Sequence, residues 1–136
     1  MRLRFAHGFS LIELMIVLAI MGIVVMFAYP SYTNYVLKSR RTEAKSGLLD
    51  LAQRQEDFRA DNNKYADDLT KLLLNNPDLT SENGFYKFSV ENPSPLKFTL
   101  KATVADDKAQ KDDIQCTEFS IDQQGKRDSE PGKDCW

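Results

Sequence analysis

The sequence predicts an α+β protein: a long N-terminal helix, transmembrane in its first half and amphipathic in its second, packed on an antiparallel sheet of three or four strands. Three observations predict it. Phe9 to Tyr29 is an apolar run of 21 residues with one charge. Ala44, Leu48, Leu51, Gln55 and Phe58 recur at alternating steps of four and three, the spacing of one helix face. Leu96, Phe98, Leu100, Ala102 and Val104 alternate with Lys97, Thr99, Lys101 and Thr103, as a strand with one wet face requires.

Length and composition set the bounds. With 136 residues, 18 basic and 20 acidic, the chain accommodates one domain and not comfortably two. Mean hydropathy is −0.45, an average that hides a membrane-grade segment joined to a polar body. The single His7 precedes the apolar run, where a targeting segment would place it. No Ser, Cys or Lys has an evident base beside it in the sequence, so neither an enzyme nor a cofactor is expected.

A helix over Phe9 to Tyr29 rises roughly 31 Å, the thickness of a bilayer core. Arg2, Arg4 and His7 stand before it with no acid, and the first charge behind it is Lys38. The nearer positive charge holds the N-terminus in the cytoplasm, so the body is exported. A secretory signal has an apolar stretch of about 7 to 15 residues and a small-residue cleavage site. Here the run is longer and no A-x-A follows it, so it stays with the protein as an anchor. Glu13 costs about 2.5–3.5 kcal/mol at the bilayer centre and less near the edge. Two readings fit: it lies about 6 Å into the helix and snorkels to the headgroups, or a cation meets it. The span holds no Lys, Arg or His, so that cation comes from lipid, from another subunit, or from a new amine freed before Phe9.

The run Gly8-Phe9-Ser10-Leu11-Ile12-Glu13-Leu14-Met15-Ile16-Val17, behind a short basic leader, resembles the class III signal of type IV pilins and type II secretion pseudopilins. The resemblance implies a pilin fold, cleavage between Gly8 and Phe9 by a prepilin peptidase, and N-methylation of Phe9. It also implies assembly through Glu13, whose carboxylate neutralises the Phe9 amine of a neighbouring subunit. The domains are then a leader over 1–8, a transmembrane and filament-core half over 9–30, and a periplasmic head over 31–136. The expected partners are other pilin subunits, the peptidase and methyltransferase, the inner-membrane pilus assembly machinery and the membrane itself. The expected location is the inner membrane, crossed once, and then the surface filament.

Beyond the span, Pro30 lacks an N–H and clashes with the carbonyl four residues back, so a helix through it kinks near Met26 to Pro30, with Gly22 a second weak point. Alternatively Pro30 marks the membrane exit. Tyr29, Tyr32 and Tyr35 fit either view as interfacial aromatics. The helix continues to about Arg59. Asp67 to Leu74 reads as a short helix or turn burying Leu69, Leu72 and Leu73, and Asn75-Asn76-Pro77 ends it. Tyr86, Phe88 and Val90 form a strand, followed by a turn at Asn92-Pro93-Ser94-Pro95. The alternating strand from Leu96 comes next, then a charged connection over Asp106 to Asp113. Thr117, Phe119 and Ile121 make a third strand ahead of a turn at Gln123-Gln124-Gly125, and a weaker fourth covers Lys126 to Ser129.

Cys116 and Cys135 enclose 18 residues, and export makes their oxidation the expectation. Closing such a loop stabilises by roughly 3 kcal/mol in the chain-entropy model. The alternatives are two free thiols or a metal pair, although a zinc site lacks further ligands here and no metal is expected. The run Cys116-Thr117-Glu118-Phe119-Ser120-Ile121-Asp122-Gln123-Gln124-Gly125, with Cys135-Trp136, resembles the disulfide-bounded tail of type IV pilins, most of all the PilE-type minor pilins. That resemblance implies a minor subunit of a type IV pilus serving twitching motility, adhesion or DNA uptake. A type II secretion pseudopilin is the alternative, because it shares the leader but usually lacks this tail disulfide.

Removing Arg2 and Arg4 with the leader leaves 16 basic and 20 acidic residues. Residues 31–59 hold six basic and four acidic, whereas 60–136 hold ten basic and fifteen acidic. An acidic head argues against direct nucleic-acid binding by phosphate neutralisation. Lys126 and Arg127 read as a solvated basic spot. Asp106-Asp107 and Asp112-Asp113 lack the Asp-x-Asp-x-Asp-Gly spacing of a calcium loop.

Overall fold

A computed structural model describes residues 9–72, 79–106 and 109–136. The leader, Leu73, the Asn75-Asn76-Pro77 stop and Asp107 lie outside the described residues. Two compact units divide the chain, the first running to Val36 and the second from Leu37 to Trp136. Helix α1, Leu11–Asn62, supplies all of the regular structure described in the first unit and the opening of the second.

Within the first unit, α1 passes Gly22 and Pro30 without losing its helical assignment. Pro30 cannot donate to the carbonyl of Met26. Two hydroxyls bond carbonyls around it: Ser31 Oγ donates to Phe27 O (3.2 Å) and Thr33 Oγ1 donates to Pro30 O (2.9 Å). By length and composition this helix is able to cross a membrane, and its apolar stretch buries nothing within the chain.

In the second unit the expected stripe is the buried one: Ala44, Leu48, Leu51 and Gln55 are inaccessible, and Phe58 packs at the edge of the core. The helix ends three residues later than its apolar stripe suggests. Asn63 takes a left-handed conformation (φ 56°), and its N–H donates to Arg59 O (2.8 Å), so the stop is a C-cap and not the loss of apolar residues. Gln55, the one polar member of the stripe, is bonded through both its amide nitrogen and its amide oxygen. Its amide donates to Ala66 O (3.0 Å) and accepts from Ala66 N–H (2.8 Å), which pins the chain leaving α1 back against the helix. A single 3-10 turn, Leu69–Lys71, then buries Leu69, and Leu72 follows it into the core.

Four strands follow, β1 Tyr86–Ser94, β2 Lys97–Val104, β3 Cys116–Asp122 and β4 Arg127–Pro131, as an antiparallel meander in the order β1-β2-β3-β4. Register places Phe88, Ala102, Phe119 and Ser129 in one inward row, and Val90, Leu100 and Ile121 in the next. Leu48 and Leu51 of α1 join the same core as these rows. On the wet face Lys101 donates to Glu118 (2.7 Å) and reaches Glu91 (3.2 Å), crossing three strands.

Three expectations are corrected. The turn expected at Asn92-Pro93-Ser94-Pro95 is shorter: β1 runs on to Ser94 through a register shift after Glu91, and Pro95-Leu96 make the turn. Pro93, which has no N–H to donate, falls within that register shift on a strand at the sheet edge, where proline is tolerated. Leu96 therefore leaves the inward row and is exposed. Thr117 is exposed too, because a bulge between Cys116 and Glu118 lets Cys116 and Phe119 both face the core.

Gly47 sits on α1 directly over the Phe88 ring, and a Cβ there would overlap Phe88 Cζ. Gly47→Leu should lower the denaturant midpoint of the head by the equivalent of about 1–3 kcal/mol, the usual cost of overpacking. Gly22→Ala, with open space at its Cβ, should leave that midpoint unchanged. A Gly47→Leu midpoint at or above that of the unaltered chain would show that the helix does not rest on Phe88.

Candidate assembly site

Among its described residues the first unit offers one surface and one charge. From Phe9 to Tyr32 every side chain is exposed, and Glu13 is the sole charged residue between Phe9 and Val36. Leu14 N–H donates to Ser10 O (3.2 Å), so the helical bonding begins at Ser10. Glu13 lies in the first turn, where the helix dipole favours an anion, four residues on from Phe9. No described residue forms an ion pair with it. Gly8, the residue expected to precede the cut, lies outside the described residues. An apolar surface of this length is not stable uncovered in water.

In the head, Cys116 and Cys135 are bonded, with Cα atoms 5.9 Å apart and both residues buried. The tail packs beyond the disulfide as well. Trp136 meets Phe119 edge to face (6.0 Å between centroids), its indole N–H donates to Asp128 O (2.5 Å), and the Arg127 guanidinium lies 5.2 Å over its ring. Gly132 N–H donates to Gln115 O (2.9 Å), and a Cβ at Gly132 would stand 2.7 Å from that oxygen, so only glycine allows the approach.

Sequence reasoning missed one cluster. Arg41 on α1 holds Asp113 through two hydrogen bonds, Nε to Oδ2 and a terminal nitrogen to Oδ1, each 2.7 Å. The Asp113 side chain is 2% exposed. Gln110, buried in the 3-10 turn Ala109–Asp112, donates to Asp113 Oδ2 (2.9 Å) and to Leu37 O (3.3 Å). The β2–β3 connection is thereby tied to the first turns of α1 in the head. Asp113, which lacks the spacing of a calcium loop, has Arg41 as its cation. Arg41 and Asp113 lie 72 residues apart, so no local pattern could have paired them. Next to the cluster, the Tyr86 hydroxyl is buried beside the Gln110 side chain. Burial, and after it the Asp113 charge, push the Tyr86 hydroxyl well above its ordinary value.

An apolar helix half bearing one carboxylate, joined to a helix-on-sheet head with a disulfide-closed tail, defines a type IV pilin. Residues 30–120 match the family model described as "Type IV minor pilin ComP, DNA uptake sequence receptor", and residues 3–29 match the prokaryotic N-terminal methylation motif. The chain belongs to the ComP family of type IV pilins. It is 42% identical over 61 residues to the type IV major pilin protein PilA of Myxococcus xanthus, covering 45% of this chain and 28% of that one. It is 54% identical over 39 residues to the type IV major fimbrial protein FimA of Dichelobacter nodosus, covering 29% and 24%. The chain thus spans about a quarter of the length of the curated relatives it matches. A type IV pilin from Shewanella oneidensis shares the fold, with a TM-score of 0.51 and 24% identity over 74% of this chain and 97% of that one.

The Tyr86 environment carries a pH dependence. In the unfolded chain this phenol ionises near its ordinary value of 10.0, whereas in the native state it stays protonated above that. Its contribution is therefore complete below about pH 10 and lost as pH rises further. Unfolding midpoints should fall from about pH 9 to about pH 11, and Tyr86→Phe should make that fall shallower. An unchanged slope in the variant would mean that Tyr86 is not buried in the folded head.

Proposed function

We propose that the chain is made as an inner-membrane prepilin, with its N-terminus cytoplasmic and its head periplasmic, cut between Gly8 and Phe9, N-methylated on Phe9 and drawn into a type IV pilus as a minor subunit. One observation carries the reading: the apolar half of α1 is wholly uncovered and holds Glu13 as its one charge. A buried carboxylate needs a cation, and cleavage before Phe9 supplies an amine at the position where a neighbouring helix presents its carboxylate. The bend expected near Gly22 and Pro30 belongs to this proposal as a place where the helix adjusts during assembly. The Myxococcus xanthus and Dichelobacter nodosus relatives above are named as major subunits and the family model as a minor one. The family match and the tail disulfide favour a pilus over a secretion pseudopilin.

Gly8→Leu should leave a precursor eight residues longer, visible by mass. Glu13→Ala should insert in the membrane as well as the unaltered chain, since it removes a cost of about 2.5–3.5 kcal/mol or less, yet disappear from sheared filaments. Normal incorporation of the Glu13 variant would refute the pairing role. Abundance in the sheared fraction separates a scarce minor subunit from a dominant major one.

The family description also favours a role for the head in DNA uptake, against the acidity of the head as a whole. Phosphate contact needs only local positive charge, and Lys126 and Arg127 stand exposed where β4 begins. If this spot touches duplex DNA, the paired change Lys126→Glu and Arg127→Glu weakens binding to the detergent-solubilised chain and lowers the salt slope by about two. Equal binding by the variant would remove these residues from the interface, and no binding by the unaltered chain would remove the role.

A further inference from the structure

The buried stripe of α1 begins at Ala44, yet the head already holds the helix from Leu37, about two turns earlier. Between Leu37 and Glu43 no residue belongs to the apolar core or packs against its edge. Polar and cation-π contacts attach these turns instead, and they come from two different connections. Ahead of β1, Asn83 N–H donates to Glu43 Oε1 (2.5 Å), and the Arg40 guanidinium lies 4.3 Å over the Phe85 ring. Between β2 and β3, Gln110 donates to Leu37 O (3.3 Å), and Asp113 takes Arg41 through both carboxylate oxygens.

At about 100° per residue, Arg41 falls on one flank of the line through Ala44 and Leu48, and Arg40 and Glu43 fall on the other. The helix is gripped from both sides where it has no apolar face to bury. The Asp113 side chain is 2% exposed, so opening its pair with Arg41 would leave a charge out of water without compensation. Nothing comparable holds the turns before it. Pro30 removes one bond of the ladder, and the side-chain hydrogen bonds described from Ser31 to Val36 stay within the helix.

We propose that the Arg41–Asp113–Gln110 cluster, with Arg40 and Glu43 on the opposite flank, is a stop: bending or unwinding of α1 that starts at Pro30 ends at Leu37. Apolar burial alone would let it run on to Ala44, through the turns that anchor both connections. With the stop closed, the segments ahead of β1 and between β2 and β3 keep their places on the helix while the residues before Leu37 move. The device belongs to the single chain and does not rest on the pilus reading.

Amide hydrogen exchange on the detergent-solubilised full chain tests it. Each helical N–H bonds the carbonyl four residues back, so a helix held from Leu37 protects amides from Arg41 onward, and one held only by its stripe protects them from Leu48 onward. In the unaltered chain, Arg41 to Gly47 should exchange as slowly as Leu48 to Gln55. Asp113→Asn should speed Arg41 to Gly47 by about tenfold or more while Leu48 to Gln55 and the β2 amides stay slow. Fast exchange of Arg41 to Gly47 in the unaltered chain overturns the stop, and so does an Asp113→Asn variant in which that segment stays slow or speeds up no more than the stripe and β2. Should Asp113→Asn lose the fold altogether, Arg41→Lys decides, since it keeps the charge without the forked pair. Acceleration confined to residues 41–47 then upholds the stop, and uniform acceleration or none overturns it.

Discussion

One helix serving two solvents is the constraint on which the rest of this structure depends. From Leu14 to Tyr29 α1 is apolar on every side, so it has no single apolar face to bury by amphipathic packing. Over its later turns only one stripe is apolar, and the sheet covers that stripe. The change of character falls without a break in the helix, which makes the anchor and the central element of the head a single secondary-structure element.

The head meets the helix through polar ties as much as through its core. Gln55 clamps the chain that leaves α1, and Arg41 with Gln110 clamps the long connection between β2 and β3. The Cys116–Cys135 bond and the Trp136 ring do the same for the last segment, which buries little apolar surface of its own. Each tie fixes a stretch lacking the alternating pattern that would have held it in the sheet. Those are also the stretches that present exposed loops, so what the head shows to partners is positioned by buried polar groups and one covalent bond.

The elements with strong periodicity were legible in the sequence, and their ends were not. The Ala44–Leu48–Leu51–Gln55 stripe and the Phe98–Leu100–Ala102 alternation are local patterns, and both faces emerged as read. The end of α1 depended on a left-handed Asn63, the end of β1 on its place at the sheet edge, and the exposure of Thr117 on a bulge. Each of these is set by a neighbour in space. The apolar run with its single acid was legible for a different reason: charge and hydropathy along a helix segment that buries nothing within the chain involve no long-range partner.

From its sequence by itself the chain determined the apolar anchor with its single acid, the buried stripe of the helix, the number and direction of the main strands and the pair of cysteines able to bond. These follow from period, composition and compartment, which are properties of segments. Only the tertiary structure decided that Asp113 belongs to Arg41, that Gln55 closes the loop at Ala66, that Phe88 demands a glycine at position 47, and that Leu96 stands in water. Those facts arise when segments distant in the chain compete for the same buried space and the same hydrogen-bonding groups, a competition that no segment records on its own.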